Sequence, residues 1–382
     1  MLSRLQSFTP PFHIAIACVL FTVAIPHAFA QEGAQKPSTA PQDPRVGKKV
    51  IVTKAAAPLR TPEKIVWKAY LGETFTVALT NGEWLWIAEK GGWLWEKQTV
   101  PFDDAINEFD RRTKEDSTAE NYHLRGVAHS AHGNYDQAVK DFTASLNDTP
   151  QNAGVLNNRG QAHYLNNDYD NAISDFDAAL AIDSKHFVAM NNRALCHIAV
   201  ENLPAALNDL NGAISLNKDY PEALNNRGVV HAGQGNFDAA IVDYTAALKI
   251  DDTYADAYGN RSFALRQQGK FAEAIADLET AMEKSPLDFK PVNDLAWVLA
   301  TCSTDSIRKP KEALALATKA CQMTQYQNWN TMDTLAAAHA ANGDFKAAQQ
   351  WIATAIEKAP QEHRAALQEH VEQLQAEKPI LN

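Results

Sequence analysis

The feature that most constrains this chain is a segment that returns every 34 residues through its middle. Five arginines mark the successive copies: Arg125, Arg159, Arg193, Arg227 and Arg261. The apolar residues around each arginine recur with helical spacing, so each copy is predicted to form two amphipathic helices joined by a short turn. One such hairpin leaves an apolar face exposed, and successive hairpins must therefore stack into an all-α solenoid.

Small residues and one bulky apolar residue accompany each arginine at fixed distances. The small residues are Gly126, Gly160, Ala194, Gly228 and Ser262, then Ala138, Ala172, Ala206, Ala240 and Ala274, then Ser145, Ala179, Ala213, Ala247 and Ala281; the bulky ones are Phe142, Phe176, Leu210, Tyr244 and Leu278. We expect Gly160 and Ala172 to let two helices approach closely while Phe176 fills the space beside them. This pattern resembles the tetratricopeptide repeat (TPR), and the resemblance implies a right-handed superhelix of helical hairpins.

The repeat pattern also divides the protein. It predicts a half-repeat helix over 101–116, five regular TPRs over 117–286, a divergent TPR with a longer loop over 287–328, a further TPR over 329–362, and a C-terminal capping helix and tail over 363–382.

The N-terminus has the composition of an export signal. Residues 1–30 combine Arg4 near the start, an apolar run and the tripeptide "AFA", which predicts a signal peptide ending at Ala30. Residues 31–47 are rich in Pro and Gln and predict a flexible linker. No later run approaches the ~20 apolar residues that span a bilayer. We therefore expect an exported, periplasmic or secreted protein with no membrane span once the signal is cleaved.

Residues 48–100 differ from the rest because they contain short β-prone runs broken by turns. Trp84 and Trp86 alternate with other residues, as do Trp93 and Trp95, so each pair lies on one face of its strand. The stretch "EWLWIAEKGGWLWE" resembles the paired strands of a bacterial SH3-like domain, which implies a small all-β barrel. We expect the tryptophans to form its core; the alternative is an exposed aromatic cleft for peptides or wall glycans.

Arginine and aspartate recur together in the repeats at an offset of 16 residues. The pairs are Arg125–Asp141, Arg159–Asp175, Arg193–Asp209, Arg227–Asp243 and Arg261–Asp277. Arg159 lies on the same helical stripe as Leu156 and Gly160, which are predicted to be buried, and an unpaired charge there is costly. We therefore predict a structural ion-pair ladder, formed within hairpins or between adjacent ones.

Asparagines form a second recurring set, one or two residues before each arginine. They are Asn157, Asn158, Asn191, Asn192, Asn225, Asn226 and Asn260. In TPR arrays this part of the helix lines the concave groove, and the column resembles the asparagine ladder of O-GlcNAc transferases. An amide offers both a donor and an acceptor to a peptide backbone. We predict peptide binding here; the alternative is that asparagine is a polar filler.

Histidines and cysteines are expected to be structural. His129, His163, His197 and His231 recur on the buried stripe, too far apart for one metal ion, and predict lower stability below about pH 6. Cys196, Cys302 and Cys321 are too sparse for a disulfide framework, so we expect buried thiols, with a Cys302–Cys321 bridge as the alternative. No metal or cofactor is predicted.

The remaining observations concern function. The net charge is −11 without a basic cluster, which argues against nucleic acid as a partner. Motifs of zinc hydrolases, serine hydrolases, phosphate-binding loops and thiol redox enzymes are missing. We expect a non-enzymatic scaffold that binds a protein or peptide in the TPR groove. The alternative is an envelope-anchoring module whose SH3-like domain binds cell-wall material such as peptidoglycan, with the repeats as a spacer.

Overall fold

The computed structural model describes residues 43–54, 57–69, 73–88 and 91–381. The predicted signal peptide and most of the predicted linker lie outside the described residues. Within the described ranges, no helix combines the length and the apolar character that crossing a membrane requires.

An antiparallel sheet of seven strands comes first. The strands are β1 Lys49–Val52, β2 Ala57–Arg60, β3 Ile65–Ala69, β4 Thr74–Asn81, β5 Trp84–Ile87, β6 Gly92–Trp95 and β7 Thr99–Pro101. Their order is β3-β2-β6-β5-β4-β1-β7. The edge strands β3 and β7 do not pair with each other over the described residues. The sheet is therefore open, and the prediction of a closed SH3-like barrel is not confirmed.

The tryptophans of β5 and β6 do not form the core of this sheet, so the expectation was wrong for these four residues. Leu85, Ile87 and Leu94 are fully buried, whereas Trp84 is exposed and Trp86 is half-buried. Successive residues of a strand point to opposite faces, so burying one set turns the other outward. The smaller aliphatic residues fill the core, and the indole rings lie on the outer face.

Sixteen α-helices follow in the described residues. They are α1 Ala105–Glu115, α2 Ala119–Ala131, α3 Tyr135–Asp148, α4 Ala153–Leu165, α5 Tyr169–Ile182, α6 Phe187–Ala199, α7 Leu203–Leu216, α8 Pro221–Gly233, α9 Phe237–Ile250, α10 Ala255–Gln267, α11 Phe271–Lys284, α12 Phe289–Thr301, α13 Pro310–Met323, α14 Trp329–Ala341, α15 Phe345–Lys358 and α16 Gln361–Gln375. From α2 to α15 they pair into hairpins, and we call the even-numbered members the first helices and the odd-numbered members the second helices.

The described residues form two compact units. The first contains the sheet and the hairpins up to α7 and ends at Lys218, and the second begins at Asp219 and contains the hairpins from α8 onward. In the first unit, Ile51 and Val100 of the sheet share one core with Phe109 of α1 and Leu124 of α2. The sheet is therefore packed directly onto α1 and α2.

Close packing within three of the regular hairpins follows from the glycine of the first helix, which is Gly126, Gly160 or Gly228. A Cβ atom built on Gly160 would lie 2.8 Å from the Phe176 ring, and one built on Gly228 would lie 2.6 Å from the Tyr244 ring. Both distances are too short for any side chain. The small residue and the bulky ring thus fix the helix separation together. The cysteines Cys196, Cys302 and Cys321 are buried free thiols.

Candidate binding site

The structure brings the arginine and the aspartate of every regular hairpin together. In each pair Nε donates to Oδ2 at 2.8–2.9 Å and Nη2 donates to Oδ1 at 2.6–2.7 Å. The pairs are Arg125–Asp141, Arg159–Asp175, Arg193–Asp209, Arg227–Asp243 and Arg261–Asp277. Such two-point contacts fix the geometry as well as neutralise the charge. Each ion pair therefore lies within a hairpin and joins its two helices.

The remaining guanidinium nitrogen reaches the preceding hairpin. Arg193 Nη1 lies 2.6 Å from Asp177 Oδ1, and Arg159 Nη1 donates to Thr143 Oγ1 at 3.1 Å. The ion pairs with the buried aspartates form within hairpins, which is one of the two predicted arrangements. The additional Nη1 contacts of Arg159 and Arg193 join adjacent hairpins. The contacts of Arg159 and Arg193 on both sides suit a structural role.

The histidine column lies beside the same aspartates. His129, His163, His197 and His231 place Nε2 at 3.9–4.0 Å from Asp141, Asp175, Asp209 and Asp243, in that order. Burial lowers the pKa of His129 below its usual range, and the charge of Asp141 only partly opposes this effect. No group of three candidate metal ligands occurs among the described residues.

The asparagines occupy the fifth and sixth positions of the first helices and bond to one another. Asn192 Nδ2 donates to Asn157 Oδ1 of the preceding first helix at 3.1 Å, and Asn260 Nδ2 donates to Asn225 Oδ1 at 2.9 Å. We call each contact of a sixth residue with the fifth residue of the preceding first helix a rung. Within a helix the fifth residue donates to the sixth, as Asn157 does to Asn158 at 3.3 Å.

The first rung contains a histidine. Asn158 Nδ2 lies 3.0 Å from His123 Nε2, and His123 is the fifth residue of α2. Because Asn158 Oδ1 already accepts from Asn157, its Nδ2 donates and His123 is neutral with a bare Nε2. Burial lowers the pKa of His123 to about 4, which keeps the ring neutral at physiological pH.

These contacts change the prediction made for the asparagine column. Asn157, Asn191, Asn192, Asn225, Asn226 and Asn260 are at most 7% exposed, and Asn158 is half-buried. The column was predicted to offer free amides to a peptide, but the structure places the amides against one another. Pairing satisfies buried polar groups that would otherwise be costly. These amide–amide contacts leave fewer donors and acceptors for a peptide than a column of free amides would, so peptide binding by the asparagines stays a prediction.

One rung differs from the others at both of its positions. The fifth residue of α10 is Gly259, and the sixth residue of α12 is Asp294. The contacts Asn157–Asn192 and Asn225–Asn260 have asparagine at both positions, and we call them closed rungs. A Cβ atom added at Gly259 would meet nothing within 4 Å. The position thus offers open space on one side and an acceptor-only carboxylate on the other. We call this the open rung.

A pocket lies at the open rung, within the second unit. It is lined by Tyr244, Ala255, Asp256, Gly259, Asn260, Phe263, Asp288, Phe289, Lys290, Pro291, Asn293, Asp294, Asn328 and Asn330. Burial raises the pKa of Asp294 to about 6, although the charges of Arg266 and Lys290 and a hydrogen bond from Asn293 oppose the shift. Burial also raises the pKa of Asp256. The pocket therefore holds two carboxylates whose burial is not fully offset by nearby positive charges.

Asn293 adds an unpaired acceptor to this pocket. It is 3% exposed, and its Oδ1 has no hydrogen-bond partner among the described residues. The next rung would need a donor from Thr334, the sixth residue of α14, but that hydroxyl donates to Asn330 O at 3.1 Å. A buried acceptor without a donor is unusual in a native protein.

Gly259, Asn293 and Asp294 were not among the site residues predicted from the sequence. The repeat sequence does show that these positions differ. The fifth and sixth residues of the first helices read "NN" in α4, α6 and α8 but "GN" in α10 and "ND" in α12. The α14 pair reads "DT", and there Asp333 Oδ1 contacts His370 Nδ1 of α16 at 2.8 Å. Burial alone would lower the pKa of His370, but Asp333 raises it above the usual value.

The outer face of the sheet is a second candidate surface. Trp86 and Trp93 face each other across β5 and β6, with ring centroids 5.2 Å apart. Trp84 and Trp95 form the adjacent pair, and Leu79, opposite Trp86, is 58% exposed. We call Leu79, Trp84, Trp86, Trp93 and Trp95 the tryptophan face. An apolar surface of this kind marks interaction sites more often than scattered exposed residues do.

Comparisons with known proteins identify the helical part. Tetratricopeptide-repeat family models match residues 123–186, 221–254 and 255–285. A structure of the APC/C hetero-tetramer Cut9–Hcn1 is 19% identical, with a TM-score of 0.55 over 62% of this protein and 45% of that one. Yeast Tom70 is 16% identical, with a TM-score of 0.52 over 72% of this protein and 59% of that one. No curated protein sequence matches. The protein thus contains TPR repeats, and the structural likeness at these identities concerns the fold alone.

Proposed function

We propose that this protein is a non-enzymatic scaffold that binds a peptide or an extended protein segment along the first helices of its TPR repeats, with the pocket at the open rung as the anchoring site. The TPR architecture supports the general role, since helical-hairpin solenoids offer extended binding surfaces. The Cut9–Hcn1 structure is itself a hetero-tetramer. The predicted export signal would place this scaffold in the cell envelope or outside the cell.

The open rung carries the proposal. The asparagine pairs Asn157–Asn192 and Asn225–Asn260 are already bonded to each other, so they have fewer groups left to offer a ligand. At Gly259 the missing side chain leaves room, and the neighbouring Asn293 has an unpaired acceptor among the described residues. Pockets that combine apolar walls with a few convergent polar groups are the usual form of a binding site. Phe263, Phe289 and Pro291 supply such walls.

The test is selection of random peptides on the full-length protein, followed by measurement of affinity in solution. Amide hydrogen exchange then locates each peptide on the protein. We expect protection of α10 and α12 by the selected peptides and none by scrambled versions. Failure to obtain a peptide that binds in solution, or protection confined to the second helices or the sheet, would contradict the proposal.

The tryptophan face supports a second candidate function, which is attachment to cell-wall material. Trp84 is 38% exposed and Leu79 is 58% exposed, so the sheet turns large apolar groups toward solvent. Indole rings combine a broad apolar surface with a polar N–H, which suits ligands that are partly apolar and partly polar. In this case the repeats would position the sheet and would not themselves select the ligand.

Sedimentation of the full-length protein with purified peptidoglycan tests this second function. The wild type should sediment, and the variant with Trp86→Ala and Trp93→Ala should stay in solution. A control variant, Val242→Ala, changes a 67% exposed residue on a second helix and should behave as the wild type. Equal sedimentation of all three proteins, or of none, would rule out attachment through the tryptophan face.

A further inference from the structure

We infer that the pocket at the open rung selects a basic side chain, lysine or arginine, on the bound segment. This inference rests on the proposed function, because it specifies which residue of the segment anchors it. Three properties of the pocket support it: its donors and acceptors, its charges and its walls.

Among the buried side-chain atoms that line this pocket in the described residues, the one without a hydrogen-bond partner is an acceptor, Asn293 Oδ1. Asp294 accepts a hydrogen bond from Asn293, and its ionised carboxylate can accept further hydrogen bonds but cannot donate one. In a closed rung the sixth residue supplies an amide donor, as Asn192 does to Asn157. Asp294 removes that donor, so the complementary ligand is one that brings N–H groups. Ammonium and guanidinium groups carry three and five such donors and no acceptor.

The charges agree with the hydrogen-bonding groups. The aspartates Asp256, Asp288 and Asp294 line the pocket, and Lys290 is the one cation among its described lining residues. Lys290 is exposed and Arg266 acts on Asp294 from outside the lining, yet together they do not restore the ordinary pKa of Asp294. A further cation is therefore favoured here. A carboxylate would face three like charges, so the pocket does not suit an acidic residue or the C-terminal carboxylate of a peptide.

The walls suit the aliphatic part of a basic side chain. Phe263, Phe289 and Pro291 line the same pocket as the carboxylates and give it apolar surface. Lysine and arginine cover apolar surface with their methylene groups while the charged end reaches a polar partner. A cation close to an aromatic ring gains further attraction from the ring face. A free small cation would lack the first of these contributions.

A substitution in the peptide tests the inference directly. Peptides selected on the full-length protein should share one lysine or arginine, and replacing it by norleucine or citrulline should weaken binding by about tenfold or more. Citrulline keeps the shape of arginine and removes its charge. Selected peptides that protect α10 and α12 but lack a common basic residue would overturn the inference and leave the proposed function standing. If no peptide protects these helices, the proposed function itself fails.

A substitution in the protein completes the test. Asp294→Asn should reduce the difference between the basic peptide and its citrulline version by about threefold or more, because one of the three attracting carboxylates is gone while Asp256 and Asp288 remain. The control is Asp252→Asn, because the Asp252 side chain is 79% exposed and lies outside the pocket lining. That variant should keep the full difference. If Asp294→Asn also keeps it, the basic side chain binds elsewhere and the inference is wrong.

Discussion

Two rungs of this molecule have the same position in the repeat and opposite properties. Between α4 and α6, Asn192 donates to Asn157 and both residues are nearly inaccessible. Between α10 and α12, Gly259 and Asp294 take those places, and the contact is replaced by a pocket. The comparison shows that a regular repeat can be structural at most of its copies and still offer a candidate binding site where both partners of one contact have changed.

The largest expected effect concerns the ion-pair ladder, which holds the closed part of the array. Arg193 contacts two carboxylates, the buried Asp209 and the 57% exposed Asp177. Asp209→Ala should lower the free energy of unfolding by about 3 kcal/mol, because a partly buried guanidinium loses its two-point partner. Asp177→Ala removes an exposed contact of the same arginine and should cost less than about 1 kcal/mol. Urea unfolding of both variants checks this, and equal losses would refute a structural ladder.

The next test exchanges the residues of the two rungs. Asn192→Asp places a carboxylate opposite Asn157 Oδ1 and should lower stability by about 2 kcal/mol, since two acceptors then face each other in a buried site. Asp294→Asn should instead raise stability at neutral pH, because the folded state no longer holds a carboxylate whose pKa is raised to about 6. That gain should fade as the pH drops from 6 to below 4, where the wild-type carboxyl is neutral in both the folded and the unfolded state.

If thermal unfolding shows that Asn192→Asp and Asp294→Asn change stability in the same direction at neutral pH, then the two rungs do not differ in the way described. The same melting curves recorded at about pH 4 provide the control for the second variant.

A third test uses the histidine in the first rung. The pKa of His123 is lowered to about 4 in the folded protein, against about 6.5 in an unfolded polypeptide. The unfolded state therefore takes up the proton first, so the stability present above about pH 6.5 is lost as the pH falls toward about 4. At about pH 5 the loss should be about 2 kcal/mol.

His123→Asn is the matched control, because an amide oxygen can still accept from Asn158 and does not titrate in this range. Other histidines, including His129 and His186 with lowered pKa values, are present in both proteins and cancel in the comparison. Urea unfolding at about pH 7.5 and about pH 5 should show a smaller pH dependence in the variant. An unchanged pH dependence would refute the role assigned to His123.

The regular repeats could be predicted from the sequence because spacing and packing agree. A glycine and an aromatic ring at a fixed spacing, such as Gly160 and Phe176, indicate two helices packed closely enough for the ring to lie against the glycine. The arginine–aspartate offset of 16 likewise indicates an ion pair between the two helices of a hairpin. The asparagines were harder, because a buried amide that bonds its neighbour and an exposed amide that bonds a ligand give the same sequence pattern.

The sheet shows where periodicity fails. In "WLWI" and "GWLW" both alternating sets are apolar, so a period of two does not tell which face is buried. Gly92 shows which face is buried. A Cβ atom at Gly92 would lie 2.6 Å from Val66, so this position is on the crowded inner face of the sheet. The residues that alternate with Gly92, including Trp93, face outward for this reason.

The central claim is that the open rung binds the ligand and that closed rungs do not. A variant with Gly259→Asn and Asp294→Asn rebuilds the asparagine pair found between α4 and α6. The added side chain at 259 enters open space in a helix, so its own effect on stability should stay within about 0.5 kcal/mol.

The most direct measurement is the affinity of a selected peptide for this double variant and for the wild type, with the melting temperature recorded for both. We predict that the variant is at least as stable as the wild type and binds the peptide more weakly by roughly tenfold or more. Equal affinity for the two proteins, with protection of α10 and α12 retained, would contradict the account.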